Sequence, residues 1–154
     1  MIVLETPYEL EQYVGKSLGI TDWKKVTQEM INDFARISGD MNWIHVDIER
    51  AKRELPGGKT IAHGMLTLSM MSGMGGEIFY VKHRGRGINY GSNKVRFTAP
   101  VEVDSEIRLE RTLKAFEKVE GGVRLTYSNV MYKKYSDKPV MIAESLNLMY
   151  EESK

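Results

Sequence analysis

The 154-residue chain carries 22 Lys and Arg against 21 Asp and Glu. The resulting net charge of +1 argues against a nucleic-acid binder, whose grip depends on a positive surface. The absence of cysteine excludes disulfides, thiol catalysis and thiolate metal sites, and with three histidines (His45, His63 and His83) no metal centre is expected.

At 42% hydrophobic residues the chain can build one core, so residues 1–154 are read as a single domain. The opening, MIVLETPYELEQ, places Glu5 and Glu9 where a signal peptide needs a basic end followed by an apolar run. The uncharged stretch from Thr60 to Gly76 has 17 residues, short of the roughly 20 of a membrane span. A cytoplasmic protein with no membrane association is expected.

In chain order, the first half reads as helices. Thr27 is an N-cap, and Met30, Ile31, Phe34 and Ile37 follow at helical spacing. Ser38-Gly39-Asp40 ends that helix, because glycine readily takes the left-handed conformation of a helix stop. Asp47 caps a short second helix with Ala51 and Leu55 on its inner face, closed by Pro56 and Gly57-Gly58. The segment from His63 to Phe79 reads as a third helix of about 17 residues and about 25 Å. Its Met65, Leu66, Leu68, Met70, Met71 and Met74 cover more than one face, the mark of a buried helix.

The second half reads as strands. Ile88 to Phe97 forms the first. Ile107, Leu109 and Leu113 alternate with Arg108, Glu110 and Thr112. Val123, Leu125 and Tyr127 alternate with Arg124, Thr126 and Ser128. This period of two belongs to a sheet with one face inside and one in water. Gly121-Gly122 and Ser136-Asp137-Lys138-Pro139 supply turns, and residues 140–150 form the last strand. Helices followed by antiparallel strands give an α+β order, and a curved sheet wrapped around the buried helix would cover it.

Two polar clusters stand in apolar surroundings. In the first, Asp40 and His45 lie five residues apart on a loop leaving a helix. A carboxylate and an imidazole near one water can share acid–base work. The plainer alternative is that Asp40 caps a turn and His45 is a satisfied core residue. The second cluster, Ile61-Ala62-His63-Gly64-Met65-Leu66, opens the third helix. Free N–H groups of a helix's first turn can hold an oxygen that becomes negative during a reaction, and Gly64 lets a carbonyl come close. Alternatively Gly64 serves only tight packing. His63 is read as a helix-start residue.

The run Phe34-Ala35-Arg36-Ile37-Ser38-Gly39-Asp40-Met41-Asn42-Trp43-Ile44-His45-Val46-Asp47, followed by the second cluster, resembles the MaoC-like dehydratase family, which includes the (R)-specific enoyl-CoA hydratases. The family motif has the form S-G-D-x-N-P-[hydrophobic]-H, with A-H-G-M-L downstream. The resemblance extends through Asn89-Tyr90-Gly91-Ser92-Asn93-Lys94-Val95-Arg96-Phe97-Thr98-Ala99-Pro100-Val101 and so covers most of the chain. Trp43 stands where most members have Pro. A subgroup similar to the nodulation protein NodN carries Trp there and a similar N-Y-G-x-N-K-V-R-F segment.

The resemblance implies the hotdog fold, an antiparallel sheet wrapped around a long central helix. It implies a homodimer with sheets joined edge to edge and active sites near the interface, an arrangement that open sheet edges favour. It assigns catalysis to Asp40 and His45, loop orientation to Asn42, and the hold on the thioester oxygen to the Gly64 N–H. Ser72 matches a serine that hydrogen-bonds the catalytic acid in some members, or else is an ordinary helix hydroxyl bonded to the backbone.

The implied reaction is reversible hydration of a trans-2-enoyl-CoA to an (R)-3-hydroxyacyl-CoA. Asp40 takes the proton of a water, while His45 positions that water and helps to supply a proton at the α-carbon. The acyl-CoA is the substrate, and no metal or redox cofactor is needed. Trp43, Met65, Met70, Met71 and Met74 are candidates to line an acyl tunnel, or else plain core. Lys94, Arg96, Lys82, His83, Arg84 and Arg86 are the cations available to CoA phosphates, although Lys82 to Arg86 reads equally as a solvated loop. Rival readings are a dehydratase of a branched or dicarboxylic acyl-CoA, a hotdog thioesterase, and a non-catalytic acyl-thioester-binding protein.

Overall fold

The structure is a computed structural model that describes residues 1–152. The chain begins with β1 (Ile2–Leu4), a 3-10 helix (Pro7–Tyr13), β2 (Ser17–Ile20) and β3 (Lys24–Lys25). Four helices follow: α1 (Gln28–Ser38), α2 (Trp43–Val46), α3 (Ile48–Glu54) and α4 (Gly64–Gly75). Then come β4 (Phe79–Val81), β5 (Arg84–Phe97), β6 (Glu106–Val119), β7 (Gly122–Lys133) and β8 (Pro139–Glu151). The main sheet runs β2-β6-β7-β8-β5, with β3 also on β6, and every pairing in it is antiparallel. β1 and β4 form a separate parallel pair. The arrangement is α+β, as expected.

Local chemistry sets the boundaries of α1. The Thr27 hydroxyl accepts from the Met30 N–H at its start, and Gly39 ends it at φ 78°. Its inner face buries Ile31 and Ala35. The period-two pattern of β6 and β7 also holds. Ile107, Leu109, Leu113, Val123, Leu125 and Tyr127 all face inward and are buried. They meet Leu66, Met71 and Met74 of α4 in one core cluster.

Four expectations are corrected. The first 25 residues are not helical in advance of α1 but carry three short strands and a 3-10 helix. Those strands have no alternation of their own; β2 and β3 exist because β6 offers them a partner. The third helix is 12 residues rather than about 17. Gly73, Gly75 and Gly76 each cost a helix about 1 kcal/mol relative to Ala, and Ile78 and Phe79 join the core beyond it, Phe79 as part of β4.

Nor is α4 covered on all sides: Met65, Ser69, Ser72 and Gly73 form an exposed stripe at helical spacing. Finally, β5 begins four residues earlier than expected and is exposed along most of its length, because it is an edge strand paired only with β8 among the described residues.

Candidate active site

The loop after α1 is held by short side chains that bond their own backbone. The Asp40 N–H donates to Ser38 Oγ at 3.2 Å. Asp40 Oδ1 accepts from the Asn42 N–H at 3.2 Å, and Asn42 Oδ1 accepts from the Ile44 N–H as the N-cap of α2. This single helical turn delivers His45. Trp43 occupies the first helical position of α2, a place where proline is favoured because its missing N–H has no intrahelical partner. Trp43 keeps the ordinary backbone there, and its ring lies 4.0 Å from the Arg50 guanidinium.

His45 is 7% exposed and its Nδ1 lies 2.6 Å from the carbonyl oxygen of Ile61. A carbonyl only accepts, so Nδ1 carries the proton and Nε2 presents a bare lone pair. By the same reasoning His63 Nε2 donates to the Asp40 carbonyl at 2.9 Å, which leaves its buried Nδ1 without a partner. The two imidazoles stack with centroids 3.7 Å apart. Burial lowers the pKa of His45, against the raising effect of the Ile61 bond; the neighbouring His63 lowers it further and Asp40 raises it. His45 is therefore neutral around pH 7.

Gln28 ties this assembly together. Its Nε2 donates to the His45 carbonyl at 2.8 Å, and its Oε1 accepts from the hydroxyl of the buried Thr60 at 2.5 Å. Gly64 is the first residue of α4, and its N–H has no acceptor among the described residues. The Phe97 ring lies directly over it: a Cβ on Gly64 would sit 2.8 Å from two ring carbons. Phe97 borders two clefts. One, of about 350 Å³, is lined by Asp40, His45, His63, Gly64, Met65 and Phe97, with Phe34 and Ser38. The other, of about 360 Å³, shares His45, Gly64 and Phe97 and continues past Thr98 to Val101.

One ligand atom each from Asp40, His45 and His63 lies within 4.8 Å of the others, close enough on distance alone for a metal ion. The ring geometry opposes it. Imidazole lone pairs lie in their ring planes, and these planes are stacked at 23° to one another. They do not meet within the roughly 2.0–2.1 Å that a metal–nitrogen bond requires. The cluster instead offers two acceptors, the Asp40 carboxylate and His45 Nε2, to one small hydrogen-bonding molecule.

The structure thus brings Asp40, His45, Gly64 and Met65 to one cleft, with Asn42 in the loop behind it. It does not bring Ser72 there. Ser72 lies eight residues further along α4, roughly 12 Å of helix rise, and lines a different cavity. Trp43 lines neither cleft. Lys94 and Arg96 are exposed on β5, where Arg96 Nη1 donates to the Val95 carbonyl. Lys82 is paired with Glu5, and Arg86 stacks on Tyr150. His63 is more than a helix-start residue, since its ring supports both His45 and the Asp40 carbonyl. Gln28 and Phe97 carried no signal in the spacing. Gln28 acts across 32 residues of chain, and Phe97 reads as an ordinary strand aromatic.

Residues 9–133 match the family model described as a MaoC like domain. The chain is 42% identical over 147 residues to the 3-hydroxyacyl-thioester dehydratase Z of Mycobacterium tuberculosis strain H37Rv, across 95% of this chain and 97% of that protein. It is 35% identical over 137 residues to nodulation protein N of Rhizobium meliloti strain 1021, across 88% and 85% respectively. The unliganded structure of the R-hydratase PhaJ1 from Pseudomonas aeruginosa matches with a TM-score of 0.74 at 25% identity, covering 98% of this chain and 89% of that one. No helix among the described residues is long and apolar enough to cross a membrane.

Proposed function

We propose that this chain, which belongs to the MaoC-like domain family, is a hydro-lyase that adds water reversibly across the trans-2 double bond of an enoyl-CoA to give an (R)-3-hydroxyacyl-CoA. One observation carries the reading. Asp40, His45 and Gly64 line one cleft, with a ligand atom of Asp40 and one of His45 within 4.8 Å of each other and the Gly64 N–H unpaired among the described residues.

The two acceptors decide how a water sits. It donates one hydrogen to Asp40 and the other to His45 Nε2, so its oxygen lone pairs are free to face the β-carbon. Asp40 takes the proton as the oxygen bonds to that carbon. The π electrons move toward the α-carbon and the thioester oxygen, where the Gly64 N–H and the positive end of α4 stabilise the developing charge. The proton then passes from the Asp40 carboxyl to the α-carbon, which balances the addition. In its resting tautomer His45 has no proton on Nε2 to give. Its part is to hold the water, and the share in protonation expected from the sequence falls to Asp40.

The thioester activates the double bond, so this chemistry calls for no metal or redox cofactor. Lys94 and Arg96, exposed on β5, are the cations this reading offers to the phosphates of CoA. A second copy of the chain pairing along the free side of β5 completes the proposal as a cytoplasmic homodimer, supported by that strand's single neighbour among the described residues and its exposed Ile88 and Tyr90. Crotonyl-CoA hydration, followed by loss of the enoyl-thioester absorbance, tests the reaction. Asp40→Asn and His45→Ala should each lower turnover by about 10²–10⁴-fold in folded protein. Full turnover in either variant would remove the assignment.

A further inference from the structure

The inner face of the sheet carries a full positive charge. Arg111 of β6 is 7% exposed and points inward between Leu109 and Leu113, among residues where arginine is rarely found without a paired acid. Nε donates to Asn129 Oδ1 at 2.8 Å and Nη2 reaches the Met71 carbonyl at 3.5 Å. Nη1 has no acceptor, and no carboxylate pairs with this guanidinium, among the described residues. Its position is a fitted one: a Cβ on Gly75, at the end of α4, would lie 2.0 Å from Nη1.

Two more donors stand beside it. The Tyr127 ring packs 4.6 Å from the guanidinium, and its hydroxyl has no partner among the described residues. Burial pushes that phenol's pKa up, so it keeps its proton. Ser145 Oγ accepts from Asn129 Nδ2 at 2.9 Å, which leaves its own hydrogen to give. Arg111, Tyr127 and Ser145 all line a cavity of about 380 Å³ between the C-terminal half of α4 and the sheet. No Asp or Glu lines it, and the exposed Arg84 does.

Spare donors around one buried cation complement an anion. The planar fork of a guanidinium matches a carboxylate. Met71, Phe79, Leu148 and Met149 make the remaining wall apolar, which suits a short carbon chain. We propose that this cavity binds a small carboxylate through Arg111, Tyr127 and Ser145, separately from the Asp40–His45 cleft. The carboxylate is either free or borne on the far end of an acyl chain. Only the second source rests on the hydration reading.

Calorimetric titration of the full protein with butyrate, succinate and glutarate tests the binding, with inorganic phosphate as the contrasting anion. Saturable carboxylate binding is expected, weakened about tenfold or more by Tyr127→Phe, since one hydrogen bond to a charged group is lost. Arg111→Met should abolish it. Because that variant also removes a support of α4, Tyr127→Phe, whose hydroxyl has no protein partner, keeps the test decisive.

The ratio of kcat/KM for a trans-2-enoyl-CoA whose chain is long enough to carry an ω-carboxyl the roughly 16 Å along α4 to that for the same chain without the carboxyl identifies the source. A ratio that falls in Tyr127→Phe assigns the carboxylate to the acyl chain. An unchanged ratio with weakened succinate binding assigns it to a free ligand. The proposal is overturned if wild type shows neither saturable carboxylate binding nor a preference for the ω-carboxyl thioester. Binding untouched by Tyr127→Phe, or phosphate bound as well as succinate, overturns it too and leaves Arg111 as a support for the end of α4. A protein that turns over neither thioester but binds succinate through Tyr127 would refute the hydration reading alone.

Discussion

Gly64→Ala separates stability from activity. The added Cβ would lie 2.8 Å from Cγ and Cδ2 of Phe97 and 3.0 Å from Cδ1. Carbon atoms rest about 3.5–4.0 Å apart, so the ring must retreat by roughly 0.7 Å or more. Phe97 is 47% exposed at the end of an edge strand and has room to yield. The overpacking cost, about 1–3 kcal/mol in a closed core, therefore falls at its lower end. The preference for Ala over Gly, about 1 kcal/mol in a helix interior, applies only in part at the first position of α4 and offsets some of it. The net change in stability should stay within about 1 kcal/mol.

Activity should respond far more. The methyl group and the displaced ring obstruct the approach to the Gly64 N–H from both clefts, and losing one donor to a developing oxyanion costs about 10²–10³ in kcat. Urea unfolding and crotonyl-CoA hydration on the same preparation give both readings. A folded variant with wild-type kcat would refute the role given to the Gly64 N–H. An unfolded one would refute the claim that Phe97 can move aside.

Acid should weaken the fold through His45. Its lowered pKa means that the unfolded chain takes up a proton more readily than the folded one as pH falls below about 6.5. Stability is full above that pH and declines below it, and His45→Gln should flatten the slope of the urea midpoint between pH 7 and 5. Gln28→Leu removes the acceptor of the buried Thr60 hydroxyl and a donor to the His45 carbonyl, and should cost about 1–3 kcal/mol in thermal unfolding. An unchanged midpoint would mean that neither group is left unsatisfied. Gly75→Ala should cost about 1–3 kcal/mol by denaturant unfolding, because its Cβ meets a buried guanidinium rather than a ring with room to move.

Patterns local to the chain were legible, and patterns made by distant partners were not. Thr27, Gly39 and Asp47 mark helix ends by bonding their own neighbours, so their roles can be read from residue type and spacing. The inward faces of β6 and β7 follow from alternation alone. β2 and β3 depend on the exposed flank of β6, which no local window contains. The overlong third helix has the same origin: the pairing of β4 with β1, not composition, claims Phe79.

In the candidate site, Asp40, His45 and Gly64 rest on the family motif, whereas spacing alone favours a turn cap and a core histidine. The stacking of His63 and the bridge made by Gln28 are tertiary. Arg111 did leave a local trace. Continuing the period of two from Leu109 to Leu113 passes through position 111 on the inner face, and a charged residue there is the break in the pattern that marks the second cavity.

The two glycines at the ends of α4 have a joint effect. Gly64 seats one end of the helix under Phe97, and Gly75 seats the other against Arg111, each with a fit too close for a methyl group. Sliding the rod along the sheet by one residue would bring a larger side chain against Phe97, and in one direction against Arg111 as well. The helix's eleven-residue interval, roughly 16 Å of rise, acts as a fixed gauge between the two hollows, so ligands at either end meet a spacing set by the backbone rather than by adaptable side chains.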